Sequence, residues 1–402
     1  METLRHLFTK YKRPFYKKPK ALTHLFTTHQ TPFAPTNHAA AIQNGYEKNV
    51  IVHRAVNLIA RSTGSVPLVL YAHNKKVTHH ALRTLLRQPN PFQGSNVFME
   101  SIVSHLLLSG NAYVEALNTQ DEAPPSELHV LQPERVRVKP GAFGVPEKYV
   151  YSVQGQTRDI AVDPLSGQSS LLHLKLFHPS NDWYGLSPLT AARQAIACHN
   201  TVAQHNLSLL ENGGRPSGAL FFGGHKGATL SAEQRDTLHD NLSQMYRGSQ
   251  NAGQMMILEG DFEWKEMGLS PKDMDFSEGK NVSAREIAQV FGVPPMLVGV
   301  PGDATFSNYR EARLHLWEDT ILPLLDRIIN QLNAWLVPPF GDNLRLTYDA
   351  DNIPPLAAKR EIAWERMNQC TFLTTNEKRE AMGYAPLKEN NQKAPAVPTT
   401  TK

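Results

Sequence analysis

Between Lys272 and Pro338 the sequence reads as a short helix, a loop rich in Pro and Gly, and one very long helix, and this order limits what the chain can fold into. Ser283-Ala-Arg-Glu-Ile-Ala-Gln-Val-Phe291 has helical periodicity. Ser283 with Glu286 three residues on has the pattern of a capping box. Gly292, with Pro294-Pro295 beyond it, marks the stop. The loop from Met296 to Thr305 holds Gly299, Pro301 and Gly302. From Asn308 and Glu311 the next helix is expected to reach Trp335 or Leu336, roughly 40 Å at 1.5 Å per residue. Leu314, Trp317, Ile321, Leu324, Ile328 and Trp335 form its apolar stripe, widened by Leu325, Ile329, Leu332 and Leu336. A stripe that wide packs on several neighbours rather than along a two-stranded seam; an ordinary core helix has the same pattern. Pro323 lacks an N–H and clashes with the preceding turn, so a kink is expected near Thr320.

The first part of this stretch imitates a DNA reader. Arg285 to Val293 has the pattern of the first helix and Gly turn of a helix-turn-helix. That motif needs a second helix directly after the turn, offering polar or basic side chains to base edges. Pro-Pro-Met-Leu-Val-Gly-Val-Pro-Gly follows instead. Prolines and glycines without a single charge do not make a recognition helix.

The charge distribution also argues against a DNA-gripping body. Residues 1–20 carry Arg5, Lys10, Lys12, Arg13, Lys17, Lys18 and Lys20 against Glu2, a net +6 in a chain whose total is +4. The remainder therefore sums to −2. A protein that holds phosphates through counterion release needs clustered Lys and Arg on its folded surface. The basic segment reads as a solvated arm, with contact to nucleic acid or scaffold as the alternative. The 402 residues suggest two or three domains. With no run of eighteen apolar residues, no membrane span is expected. No secretory signal is expected at the N-terminus. Cys198 and Cys370 alone fit a reducing compartment without a disulfide framework.

Along the chain, residues 1–40 and 389–402 have disordered composition. Helices are expected at Val50–Arg61, Ala81–Arg87 and Ser95–Leu108, the last capped by Ser95 and closed by Gly110. Strands are expected at Val66–Tyr71, Asn111–Leu117, Leu128–Leu131, Arg135–Lys139, Lys148–Val153, Asp159–Val162 and Leu171–Phe177. The fold class is α+β. A second long helix, about Ser187–Glu211, carries Ala191, Ala192, Ala195, Ala197 and Ala203 among polar residues, which suits packing beside copies of itself; solvent exposure accounts for the composition almost as well. An α/β insert follows, with strands at Ser217–Phe222, Gln254–Leu258 and Phe262–Met267 and a helix from Thr229 or Ser231 to Arg247. Toward the end come a strand at Leu344–Tyr348 and helices at Ala357–Gln369 and Asn376–Met382.

Recognisable catalytic chemistry is missing from the sequence. There is no Walker-type phosphate loop and no His-Glu-x-x-His. No serine sits in a nucleophile elbow. Asp349, Asp351 and Asn352 lack the Gly and Glu of a calcium loop and read as turn formers before Pro354-Pro355. No cofactor, metal site or enzyme activity is expected. A helix-turn-helix regulator and an unrecognised hydrolase remain as the alternative readings.

Taken together, four segments resemble the portal proteins of tailed double-stranded DNA bacteriophages, in the compact branch of long-tailed phages. They are Asn181–Leu189, Glu211–Gly218, Ser283–Pro295 and Thr305–Ala312, and their order and spacing are specific. The resemblance covers roughly residues 45 to 385. It implies a portal-type fold: residues 41–185 as an α+β wing, 186–213 and 270–293 as two stem helices, and 214–269 as an α/β clip. Residues 294–307 would be the tunnel loop, 308–337 the long kinked tunnel helix, and 338–388 the wing return and a small crown. The implied assembly is a homo-oligomeric ring, usually a dodecamer, at one capsid vertex of the virion, put together in the bacterial host cytoplasm. Double-stranded DNA would pass through it without sequence specificity during packaging and ejection. The implied partners are the terminase large subunit, the head–tail adaptor, the major capsid protein and scaffold, with no membrane. On this alignment Val300, Pro301, Gly302, Asp303, Ala304 and Thr305 line the channel. Ala191, Ala195 and Ala203 form the ring seam, and Arg235, Asp236 and Arg247 contact adaptor or terminase.

Overall fold

The computed structural model describes residues 41–211 apart from 74, 119–123 and 142–143, then 218–222, 231–233, 236–237, 240, 262–266, 276–302, 306–350, 353–382 and 387. A π-helical turn at Gln43–Glu47 leads into α1, Val50–Gly64. Then come β1 (Leu68–Ala72), β2 (Lys75–Val77), α2 (Ala81–Arg87) and α3 (Ser95–Ser109). β3 (Asn111–Leu117), β4 (Glu127–Leu131), β5 (Val136–Pro140), β6 (Pro146–Val153), β7 (Gln156–Ala161) and β8 (Leu171–Lys175) follow. A short α4 (Pro188–Ala191) precedes the long α5 (Arg193–Glu211). β9 (Gly218–Phe222) and β10 (Phe262–Glu266) lead to α6 (Phe276–Val290). The chain ends with α7 (Phe306–His315), α8 (Leu322–Trp335), β11 (Leu344–Tyr348), α9 (Pro354–Gln369) and α10 (Thr375–Ala381). The α+β fold class read from the sequence is the one observed.

The described strands form four antiparallel sheets, β11-β1-β2, β4-β3-β8, β5-β6-β7 and the β10-β9 pair. β11 returns across almost the whole chain to pair Leu68 with Tyr348 and Ala72 with Leu344. One large apolar core joins α1 and α3 to α6, α8 and the inner faces of β1, β3 and β8. Phe98, Ile102 and Leu106 of α3 and Val52, Val56 and Ile59 of α1 are buried in it at helical spacing. A second, smaller core under β5–β7 holds Tyr113, Val136, Val138, Tyr149 and Ile160.

The structure agrees with the local signal where a single residue fixes the backbone. Gly110 ends α3 at φ +76, and a Cβ there would lie 2.6 Å from the Gly185 carbonyl oxygen. Other details differ from expectation. Gly94, not Ser95, is the N-cap of α3, so Ser95 is its first helical residue. Ser283 caps nothing, because α6 begins at Phe276 and runs through Gly279; buried neighbours outweigh one glycine's cost. Ala192 breaks the long helix expected from Ser187 into α4 and α5, while Ser187 caps α4 by accepting from Leu189 N. β2 escaped the sequence reading because it is three residues long and mostly exposed. The strand expected at Gln254–Leu258 and most of the helix expected from Thr229 or Ser231 lie outside the described residues.

The long helix is interrupted as expected, with a different device. Leu316–Ile321 is π-helical, and Pro323 stands in the first turn of α8, where its missing N–H leaves no orphan. The π turn takes up the backbone mismatch that an interior proline would otherwise create. No described helix is long and apolar enough to cross a membrane.

Candidate functional site

Of the four segments named in the sequence, Ser283–Pro295 forms the end of α6 and the turn after it, Thr305–Ala312 leads into α7, and Asn181–Leu189 packs on the Gly110–Asn111 corner of β3; residues 212–217 and 303–305 lie outside the described residues. α6 ends on a Schellman motif. Val293 N donates to Ala288 O at 2.9 Å and Gly292 N to Gln289 O at 2.9 Å, with Gly292 at φ +68. The following turn is apolar and sunk into the core: Val293, Leu297, Val298 and Val300 are buried, and Pro295–Val298 is a 3₁₀ turn. No recognition helix follows α6, since the next helix starts at Phe306.

Three polar ties fix this region. The Thr320 hydroxyl donates to Gly292 O at 2.6 Å, joining the end of α6 to the π segment. A Cβ on residue 292 would stand 2.6 Å from that hydroxyl oxygen, so the close approach needs glycine twice over. The Arg285 guanidinium donates to Pro301 O at 2.8 Å, holding the loop against α6. At the top of α5, Asn49 acts as a clasp. Its Oδ1 accepts from Ile51 N and Val52 N, capping α1, while its Nδ2 donates to Asn200 Oδ1 at 2.8 Å. The same Nδ2 lies 3.2 Å from His199 Nδ1, which can accept only while unprotonated. Burial, and then the nearby Lys280 charge, push the His199 pKa down and keep that nitrogen free. Asn200 Nδ2 completes the clasp on Asn44 O at 2.8 Å.

The expected channel residues divide. Val300 is buried in the apolar core and is unavailable to a lumen; its neighbours Leu297 and Val298 draw it inward. Pro301 and Gly302 are exposed. Asp303, Ala304 and Thr305 lie outside the described residues. Among the small residues of the α4–α5 segment, Ala191 is exposed, and Ala195 and Ala203 are half-buried. Asp236 is exposed, whereas Arg235 and Arg247 lie outside the described residues. Sequence reading missed Asn49, Asn200, Arg285 and Thr320. Only Asn49 carried a local signal, as an N-cap type directly before a helix; the others are defined by partners distant in sequence. Between α5 and α6 runs a groove of about 920 Å³, lined among others by Ala191, Ala195, Cys198, Val282, Glu286 and Val290. Among the described residues no group of His, Cys, Asp and Glu is arranged to hold a metal ion.

Similarity to known proteins runs through all of these elements. The family model described as phage portal protein matches residues 50–383. A chain in the neck of an empty gene transfer agent particle, computed with C6 symmetry, is 40% identical with a TM-score of 0.71, covering 88% of this chain and 95% of that one. A chain in the neck of the native particle, computed with C12 symmetry, is 39% identical with a TM-score of 0.70, covering 91% and 99%. The portal protein of Enterobacteria phage HK97 is 27% identical over 349 residues, 84% of this chain and 78% of its own length.

Proposed function

This chain belongs to the phage portal protein family, and from that premise we propose that its copies close into a ring, a dodecamer, at the neck of a phage-like particle. Double-stranded DNA passes through the ring as the particle fills and empties. The observation that carries the reading is the near full-length similarity to a neck chain arranged with C12 symmetry. The α5–α6 pair serves as the stem, with the β9–β10 pair joined to its far end as part of the clip. Terminase large subunit and head–tail adaptor dock there, around Arg235, Asp236 and Arg247. Residues 41–185 act as the wing, facing capsid protein and scaffold.

The charge pattern suits a conduit. A strongly basic wall would hold phosphates with an affinity that grows steeply per contact. The chain beyond residue 20 has a net charge of −2. The tunnel loop then starts at Pro301 and Gly302 and runs through Asp303, Ala304 and Thr305, with Val300 as its buried footing. Tied to α6 through Arg285, the loop is anchored at its N-terminal end and followed by an interrupted helix. The test is the mass and negative-stain image of the purified chain. A closed ring with a central hole is expected, and a chain that stays monomeric or dimeric at micromolar concentration sinks the proposal.

A further inference from the structure

The groove between α5 and α6 is built from small and apolar side chains carrying charge of one sign. Val282 and Val290 are 44% and 40% exposed, and Glu286 stands between them, one turn from each. Glu278 also lines the groove, and no Lys or Arg does. Ser283 is 4% exposed and lines the same groove. An open face with exposed valines and uncompensated glutamates is one that another surface completes.

We infer that the groove receives α7 of the neighbouring copy, with Arg310 and Arg313 set against Glu286. This rests on the ring reading above. Rotation about a ring axis along the stem preserves height, so only elements level with the groove can enter it. α7 begins just beyond the loop that Arg285 ties to α6, one residue before Glu286, and so lies level with it. Its inner face, Ala312 and then Leu316, is buried in its own chain. Tyr309, Arg310 and Arg313 remain exposed, and neither arginine has an ion-pair partner among the described residues. Tyr309 and Arg313 are one turn apart, which offers a ring and a cation to a valine and a carboxylate. The contact is heterologous, groove to helix, which is the type of interface that closes into a ring. Cys198 lines the groove and is exposed in the single chain, so it reports on occupancy without itself taking part.

The test uses the full chain with Cys370→Ser, leaving Cys198 as its single thiol. Ring fraction against concentration is measured by sedimentation for the parent, Glu286→Arg, Arg313→Glu and the double exchange. Maleimide labelling of Cys198 is followed in parallel, and circular dichroism checks folding. Each single reversal is expected to raise the concentration for half-assembly about tenfold or more, and the double exchange to return most of that loss. Cys198 should label more slowly in the parental ring than in either single reversal. Parental assembly by both single reversals, a double exchange as impaired as both losses combined, or a Cys198 equally reactive in the ring overturns the pairing while the ring reading stands. A parent that never forms a ring overturns both.

Discussion

The body formed by residues 50–185 with β11, and the α5–α6 pair, obey different rules within one chain. In the body, α3 buries Phe98, Met99, Ile102, Val103 and Leu106 through Ser109, and β3 is buried along all but its last residue. Its buried carboxylate is paired: Arg158 Nη2 lies 2.7 Å from Glu115 Oε2, whose side chain is 6% exposed. The His173 ring stacks on Tyr113 at a centroid distance of 4.3 Å, with Nε2 3.0 Å from Asn111 Oδ1. α5 and α6 bury far less. Val282 and Val290 on α6 and Leu207 on α5 face outward, and the polar clasp of Asn49, His199 and Asn200 sits at only one end of the pair. A region that closes over its own apolar surface stands alone. One that leaves valines and carboxylates open is completed by another molecule.

Four measurements test this contrast. The largest effect is expected in the body. Phe98 is 1% exposed, so Phe98→Ala should destabilise by about 3–5 kcal/mol in denaturant unfolding, through lost transfer energy and the cavity left behind. A loss under about 1 kcal/mol would deny that α3 is the centre of the core.

Acid comes next. Burial pushes the His173 pKa from 6.5 down to about 3, helped by the Lys175 charge, and the His105 pKa down to about 4. Both groups stay neutral when folded and bind a proton near 6.5 when unfolded. Their stabilisation is thus complete above about pH 6.5 and is lost as pH falls from there toward 4 and 3, on the order of a few kcal/mol. Melting temperatures at pH 7.5, 5.5 and 4.5 should drop steeply, and His173→Asn should flatten that slope. An unchanged slope in the variant would show that His173 is already charged in the fold.

A smaller effect, of opposite sign, is expected at Tyr113, whose buried hydroxyl is the one buried side-chain polar atom without a partner among the described residues. Tyr113→Phe removes it while keeping the ring on His173, and should stabilise by about 1 kcal/mol. A Tm below the parent's would mean that the hydroxyl has a partner after all. The smallest effect is on α6. Val282→Ala should change the stability of the unassembled chain by less than about 0.5 kcal/mol, since the side chain is 44% exposed there. A loss of about 2 kcal/mol would show that this face is already covered within one chain.

The sequence alone determined what neighbouring residues decide between themselves. Gly110 stopping α3, Gly292 stopping α6, the bounds of β3 and the apolar stripe of α8 were all legible. Each follows from sterics and periodicity within about ten residues. The α+β class and the family resemblance rest on the order of such segments. The tertiary structure decided the rest. It extended α6 back through Gly279 and placed Ser283 inside the helix, because packing against α5 and α1 overrides one residue's propensity. It drew Val300 out of the expected channel set and into the core. It turned the expected proline kink into a π segment held by Thr320 to Gly292, 28 residues away. It closed the Asn49 clasp on His199 across 150 residues. Hydrogen bonds and burial at such separations exist only once the chain has folded, and no local pattern encodes which of many polar residues will meet.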